Sequence, residues 1–263
     1  LESRQGYQSK ANHAISITAM VQVMEFIKVD AESAETVADA NELWKVGAFL
    51  SILMAGSLRG YEGFYTELAG LIRHLDKGRD GVISPKMNKN TELSEDMCMN
   101  LPHVAITLLG KFKGETVVDH HIINVANSSI SGLQTRWWIE KLVQVCRSEG
   151  RSYGPAFATP DGAVAASSDY DAVFRKYLQK VQDETDLIPK DSDVDSMYGI
   201  SRTPRKTAVS RAKRAGYDDK LDEVNRWRSL ESAQGRRVKR KMNVHYSEAL
   251  LMMPTTWRVS YAQ

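Results

Sequence analysis

The stretch SRTPRKTAVSRAKRAG, residues 201–216, sets Arg202 and Arg205 three positions apart at the head of a basic helix that runs out at Ala215-Gly216. Planar guanidinium forks grip the non-bridging oxygens of a phosphate through paired, charge-assisted hydrogen bonds that a lysine point charge cannot reproduce. Attack on a phosphodiester spreads negative charge over those oxygens, so arginines aimed at them lower the barrier. Such chemistry needs partners from elsewhere in the chain. Arg59 and Glu62 sit three apart in AGSLRGYEGFYTEL, Lys111 and Lys113 lie in GKFKGE, Trp227 stands in NRWRS and Tyr246 in NVHYSEALL.

The elements that must position these residues follow from periodicity. Residues 13–28, HAISITAMVQVMEFIK, carry apolar side chains at helical spacing. DAESAETVADANELWKVGAFLSILMAG reads as a capped amphipathic start running into a buried helix. SLRGYEGFYTELAGLIRHL restarts after Gly56 as another packed helix. HVAITLLGKFKGETVVDHHIINVA alternates β-branched residues on both sides of a glycine-containing turn, which predicts a hairpin with its tip at residues 111–115. GLQTRWWIEKLVQVCRSEG and SDYDAVFRKYLQKVQDET are helical by period, with the loop GRSYGPAFATPDGAVAASS between them. The acidic loop DLIPKDSDVDSMYG leads into the arginine helix. The expected fold class is α+β, mostly helical, with a small antiparallel sheet.

A chain of 263 residues, 42% hydrophobic and 26% charged, is long enough for one sizeable domain or for one with a partial second. Its longest apolar run falls short of the roughly 18 residues that a membrane span needs. The opening residues lack the pattern of a secretory signal, and the first residue, Leu1, leads us to expect a piece of a longer protein. Two cysteines, Cys98 and Cys146, form neither a disulfide framework nor a CxxC metal knuckle, which fits a reducing compartment. Between residues 201 and 241 stand fourteen Lys and Arg against five Asp and Glu; with a whole-chain charge of +2, the rest of the chain carries −7. That asymmetry points to a polyanionic partner, because neutralising phosphates releases counterions. The alternative is a solvated charged helix. His120 and His121, adjacent in a strand, point to opposite faces and read as structural. Asp186, Asp191, Asp193 and Asp195 lack the glycine and terminal glutamate of an EF-hand, so no metal is assigned to them.

In their order along the chain, Arg59 with Glu62, the hairpin lysines, Arg205, Trp227 and Tyr246 resemble the catalytic domain of the tyrosine recombinases, the family of phage integrases and of recombinases in eukaryotic mobile elements. The resemblance spans about residues 40–250 and rests on short motifs. It implies a recombinase-like catalytic domain over 41–263, with 1–40 a helical segment too short to be a core-binding domain. It also implies cleavage of double-stranded DNA through a 3′-phosphotyrosyl intermediate and rejoining by a homo-oligomer assembled on DNA. No metal or cofactor is required if arginines supply the charge.

Residue by residue, the resemblance makes Arg59 and Arg205 the phosphate clamp. Arg205 precedes Gly216 by eleven positions, close to the family's helix length, which puts Arg202 where the family commonly has histidine. A donor is kept there and a titratable imidazole lost. Lys113, with Lys111 as second choice, would protonate the leaving 5′ oxygen; solubility of a hairpin tip is the bland alternative. Trp227 would donate its indole N–H to the phosphate, or else serve as core. The family's usual tyrosine position, nine after Trp227, is occupied by Arg236. The nucleophile is therefore assigned to Tyr246, with Tyr261 as runner-up; the alternative is a tyrosine that anchors the C-terminal helix. An ordinary phenol pKa of about 10 means that it needs cations and a base nearby. Lys111, Lys206, Arg211, Arg236, Arg237, Lys239, Arg240 and Lys241 are the expected DNA-backbone contacts. The run GRRVKRKM doubles as a nuclear localisation signal in a eukaryotic host; otherwise the location is cytoplasmic, and in neither case is the protein secreted. Two other functions fit the same residues: a captured recombinase domain that binds DNA or a protein without cutting, and an unrelated helical protein whose arginines touch only backbone phosphates.

Overall fold

A computed structural model describes residues 13–77, 103–111, 117–159 and 161–216. Ser16 starts α1 (Ile17–Glu32) by accepting the Ala19 N–H, and the helix buries Ile17, Met20, Val23, Met24 and Ile27 along one stripe. Thr36 caps α2 (Val37–Ala55) in the same way through the Asp39 N–H. From Lys45 to Ala55 every residue of α2 is buried, so this helix is the axis around which the others pack. Helix α1 shares its hydrophobic core, and the expected boundary at residue 40 falls inside α2.

The single helix expected after Gly56 is two. The four-residue turn α3 (Gly60–Gly63) is followed by α4 (Leu68–Lys77), with Tyr65–Glu67 between them. Those residues leave helical pairing because strand β1 (His103–Gly110) claims their backbone: Glu67 N–H donates to Thr107 O at 2.8 Å, and Leu109 N–H to Tyr65 O at 2.8 Å. On its other edge β1 pairs antiparallel with β2 (Asp119–Ala126), from His103 opposite Ala126 to Gly110 opposite Asp119. The two paired strands of the expected hairpin are therefore present, and its expected tip beyond Lys111 lies outside the described residues. The small antiparallel sheet in a mostly helical domain agrees with the α+β expectation.

Helices α5 (Thr135–Ser148) and α6 (Ser167–Glu184) flank α2, and their connection is tied down by charge. Lys45 Nζ lies 2.6 Å from Glu149, Arg151 donates to the carbonyls of Pro155 and Ala156, and Ala156 N–H donates to Thr66 O at 2.8 Å. The loop thus becomes a rail beneath Tyr65–Glu67. The acidic loop contains one helical turn, α7 (Val194–Met197), whose N-terminal amides are capped by the Asp193 carboxylate. Helix α8 (Thr203–Arg214) has Pro204 in its first turn and ends before Gly216, whose φ of +85° is the left-handed conformation that glycine tolerates. No helix among the described residues is long and apolar enough to cross a membrane.

Helices α2 and α5 approach closely where Gly47 meets the face of Trp138; a Cβ at Gly47 would overlap that ring. Gly47→Ala is expected to lower stability by about 1–3 kcal/mol, the overpacking cost exceeding the roughly 1 kcal/mol helix-propensity gain. Urea denaturation checks it through the midpoint at unchanged slope.

His74 on α4 is buried and donates from Nε2 to His103 O at 3.3 Å, while its Nδ1 is buried with no hydrogen-bond partner. Burial holds its pKa below the ordinary 6.5, against the opposing pull of the hydrogen bond to the His103 carbonyl and with smaller lowering from the nearby His103 and Arg136 side chains. Since the unfolded chain then binds the proton more readily, stability is full above pH 6.5 and declines as the pH falls through that value towards the folded pKa. Removing the imidazole with His74→Gln should flatten the fall in melting temperature between pH 7 and 5.

Candidate functional site

The two arginines singled out by sequence come together on one carboxylate. The turn from α2 into α3 forces Ser57 into a left-handed conformation, φ 49°, which is uncommon for a residue with a side chain. Arg205 Nη1 donates to the carbonyl of Ser57 at 2.8 Å and to Glu62 Oε2 at 3.3 Å. Two residues beyond Ser57, Arg59 caps α3. Its backbone N–H donates to Glu62 Oε2 at 2.8 Å and its Nη1 to Glu62 Oε1 at 2.6 Å. The i, i+3 spacing of Arg59 and Glu62 is that of a capping box, in which the glutamate reaches back to the N-cap amide. Two guanidiniums thus donate to one carboxylate.

Tight backbone docking holds the cluster. Gly60 N–H donates to Ser201 O at 3.0 Å, and a Cβ at Gly60 would stand 2.7 Å from Ser201 Cα. Gly63 rests on the ring of Phe49, which belongs to an aromatic group with Phe64, Phe157 and Tyr170 at centroid distances of 4.5, 4.8 and 5.0 Å from it. The head of α8 is fixed from two sides: Ile200 N–H donates to Asp171, and Thr207 Oγ1 accepts from the Ile15 amide.

Exposure separates the expected site residues. Arg59 keeps 17% of its side chain exposed, while Arg205 keeps 1% and Glu62 1%. Arg202 is exposed at the N-cap of α8 and Lys206 is half-buried. Arg211, expected at the DNA surface, is instead buried at 3%, because α8 turns all but a narrow strip of its surface inward. Burial, with Arg214 nearby, lowers the Arg211 pKa from its ordinary value.

The hairpin reaches the cluster through two tyrosines missed by the sequence reading. Tyr65 Oη donates to Lys111 O at 3.4 Å, its ring packs against Gly110, and Tyr61 meets it edge to face at 6.1 Å. Tyr61 Oη lies 3.4 Å from Glu62 Oε1. Burial first, and the Glu62 charge second, raise the Tyr61 pKa, so the phenol stays a donor at neutral pH. Lys111 itself is exposed at the end of β1. Lys113, Trp227, Tyr246 and Tyr261, with Arg236, Arg237, Lys239, Arg240 and Lys241, lie outside the described residues.

His120 and His121 fall on opposite faces of β2, facing Leu109 and Leu108 respectively. Among the described residues no group of three or more His, Cys, Asp or Glu could hold a metal ion. No protein-family model matches the sequence, and no curated protein matches it significantly.

Proposed function

We propose that the chain is the catalytic domain of a tyrosine-type site-specific recombinase that cuts and rejoins double-stranded DNA. One observation carries the reading: Arg59 and Arg205, far apart in sequence, converge on the buried Glu62 beside the strand that leads into the lysine-bearing hairpin. A structural ion pair needs one arginine. Two on one carboxylate make a preorganised arginine centre of the kind that suits an incoming phosphate.

In this reaction Arg59, the more exposed of the two, meets the scissile phosphate. Arg205 holds Ser57 and Glu62 in place and adds its charge from a site that water does not screen. A tyrosine phenol gives its proton to a nearby base, its oxygen forms the bond to phosphorus and the 5′ oxygen departs, taking a proton from Lys113 or Lys111; rejoining runs the same steps backwards. Tyr246 is the proposed nucleophile and Trp227 a further donor to the phosphate. Arg202 and Lys206 at the head of α8, with the basic run 236–241, track the DNA backbone, and a homo-oligomer forms on paired sites. The protein would work in the nucleus of a eukaryotic host and otherwise in the cytoplasm.

A second reading, a captured domain that binds duplex DNA without cutting, is favoured by one fact: Arg205 has no exposed surface. The two are separated by incubation with nicked duplexes carrying the cognate terminal sequence, followed by a denaturing gel. A covalent protein–DNA band that disappears in Tyr246→Phe supports cutting. Retained duplex binding with no band supports the captured domain.

A further inference from the structure

A cavity of about 260 Å³ opens between α1 and α5, away from the arginine cluster and sharing no residue with it. Its lining mixes the apolar side chains of Val21, Met24, Leu133, Trp137 and Trp138 with polar surface that includes Glu25, Lys28 and Gln134. The volume is below the roughly 300–1,000 Å³ of drug-sized sites and suits one or two fused rings.

Charge decides what kind of ring. Orthogonal indoles such as Trp137 and Trp138, 4.9 Å apart at 86°, would ordinarily suit a cation. Here that role is filled by the protein itself. Lys28 Nζ sits 5.3 Å from the Trp137 ring centroid, and Lys141 Nζ lies over both Trp44 and Trp137 at 5.3 and 5.5 Å. The Trp137 ring is thus already engaged by two lysines, so an incoming cation would compete with them for it, whereas an anion could pair with Lys28, the lysine that lines the cavity. The hold of Glu25 on Lys28 is loose, 3.8 Å with side chains 51% and 35% exposed, so water screens it and a ligand carboxylate can replace it at small cost.

We infer that this cavity is a binding site for a small aromatic carboxylate, its ring between Met24 and Trp138 and its carboxylate on Lys28. The site goes beyond any DNA reaction and would exist whether or not the chain cuts DNA.

The test uses the full chain with 2-naphthoate as probe and 2-naphthamide as its neutral isostere, followed through the tryptophan indole N–H signals in ¹H–¹⁵N spectra. Trp137→Phe identifies the Trp137 signal. 2-Naphthoate is expected to shift that signal with one saturating site and a Kd on the order of 10⁻⁴ M. The amide should bind about 5- to 10-fold more weakly, the difference a charge-assisted contact makes. Lys28→Gln, at the surface, should erase that difference, and Val21→Trp at the half-buried rim should weaken both ligands by about tenfold or more by filling the space. The inference is overturned if the amide binds as tightly as the acid, if Lys28→Gln leaves the preference intact, or if the Trp137 signal does not move. The Lys28→Gln comparison decides the matter even if Val21→Trp fails to fold.

Discussion

Glu62→Ala is expected to be among the most destabilising single changes in the domain, costing about 3–5 kcal/mol. Glu62 is fully buried, and its loss takes from Arg205, also fully buried, a carboxylate to which it donates. It also removes the acceptor for the Arg59 amide that starts α3. If the cost comes from an uncompensated charge rather than from lost volume, replacing both partners should cost less than the sum of the single changes. Glu62→Leu with Arg205→Met is the pair to compare with each single variant by urea denaturation; the coupling should be large and favourable. Simple additivity would mean that the pair does not act as one unit.

Arg59→Ala should act on the reaction rather than on the fold. Its side chain is the more exposed one, and Glu62 keeps Arg205 as partner when it is gone, so the stability loss should be smaller than for Glu62→Ala. Strand cleavage should fall by about 10²- to 10³-fold, the usual cost of removing one donor from a developing oxyanion. Duplex affinity should fall little, with the salt dependence losing about one phosphate contact's worth of slope. A variant that cuts at near the native rate would remove Arg59 from the mechanism.

The parts of this site differ in how far they could be read from sequence. Helix α8 was legible because Pro204 and Gly216 mark its ends locally, and the hairpin because β-branched alternation brackets a turn. The R-x-x-E spacing of Arg59 and Glu62 was visible in the sequence. That Glu62 also takes Arg205 was not, because that contact joins residues 143 positions apart. The break between α3 and α4 was hidden for the same kind of reason: Tyr65–Glu67 lie within an apolar pattern at helical spacing, and only pairing with β1 and with the loop at Pro155 draws them out of a helix. The burial of Arg211 escaped because a charged residue in a basic run reads as surface, whereas α8 is packed over most of its circumference. Tyr61 and Tyr65 carried no signal beyond their type, and their importance comes from the turn that sets them between the arginine cluster and β1.

The central claim is that the Arg59–Glu62–Arg205 cluster neutralises the charge of a scissile phosphate, and a substrate that lacks that charge tests it most directly. Native protein and Arg59→Ala are compared on nicked duplexes bearing either a normal phosphodiester or a neutral methylphosphonate at the cleavage position. With the charge gone from the substrate there is nothing for the guanidinium to offset, so the deficit of Arg59→Ala, about 10²-fold or more on the phosphodiester, should shrink to a few-fold on the methylphosphonate. An equal deficit on both substrates would contradict the account and leave Arg59 as a residue that only shapes the fold.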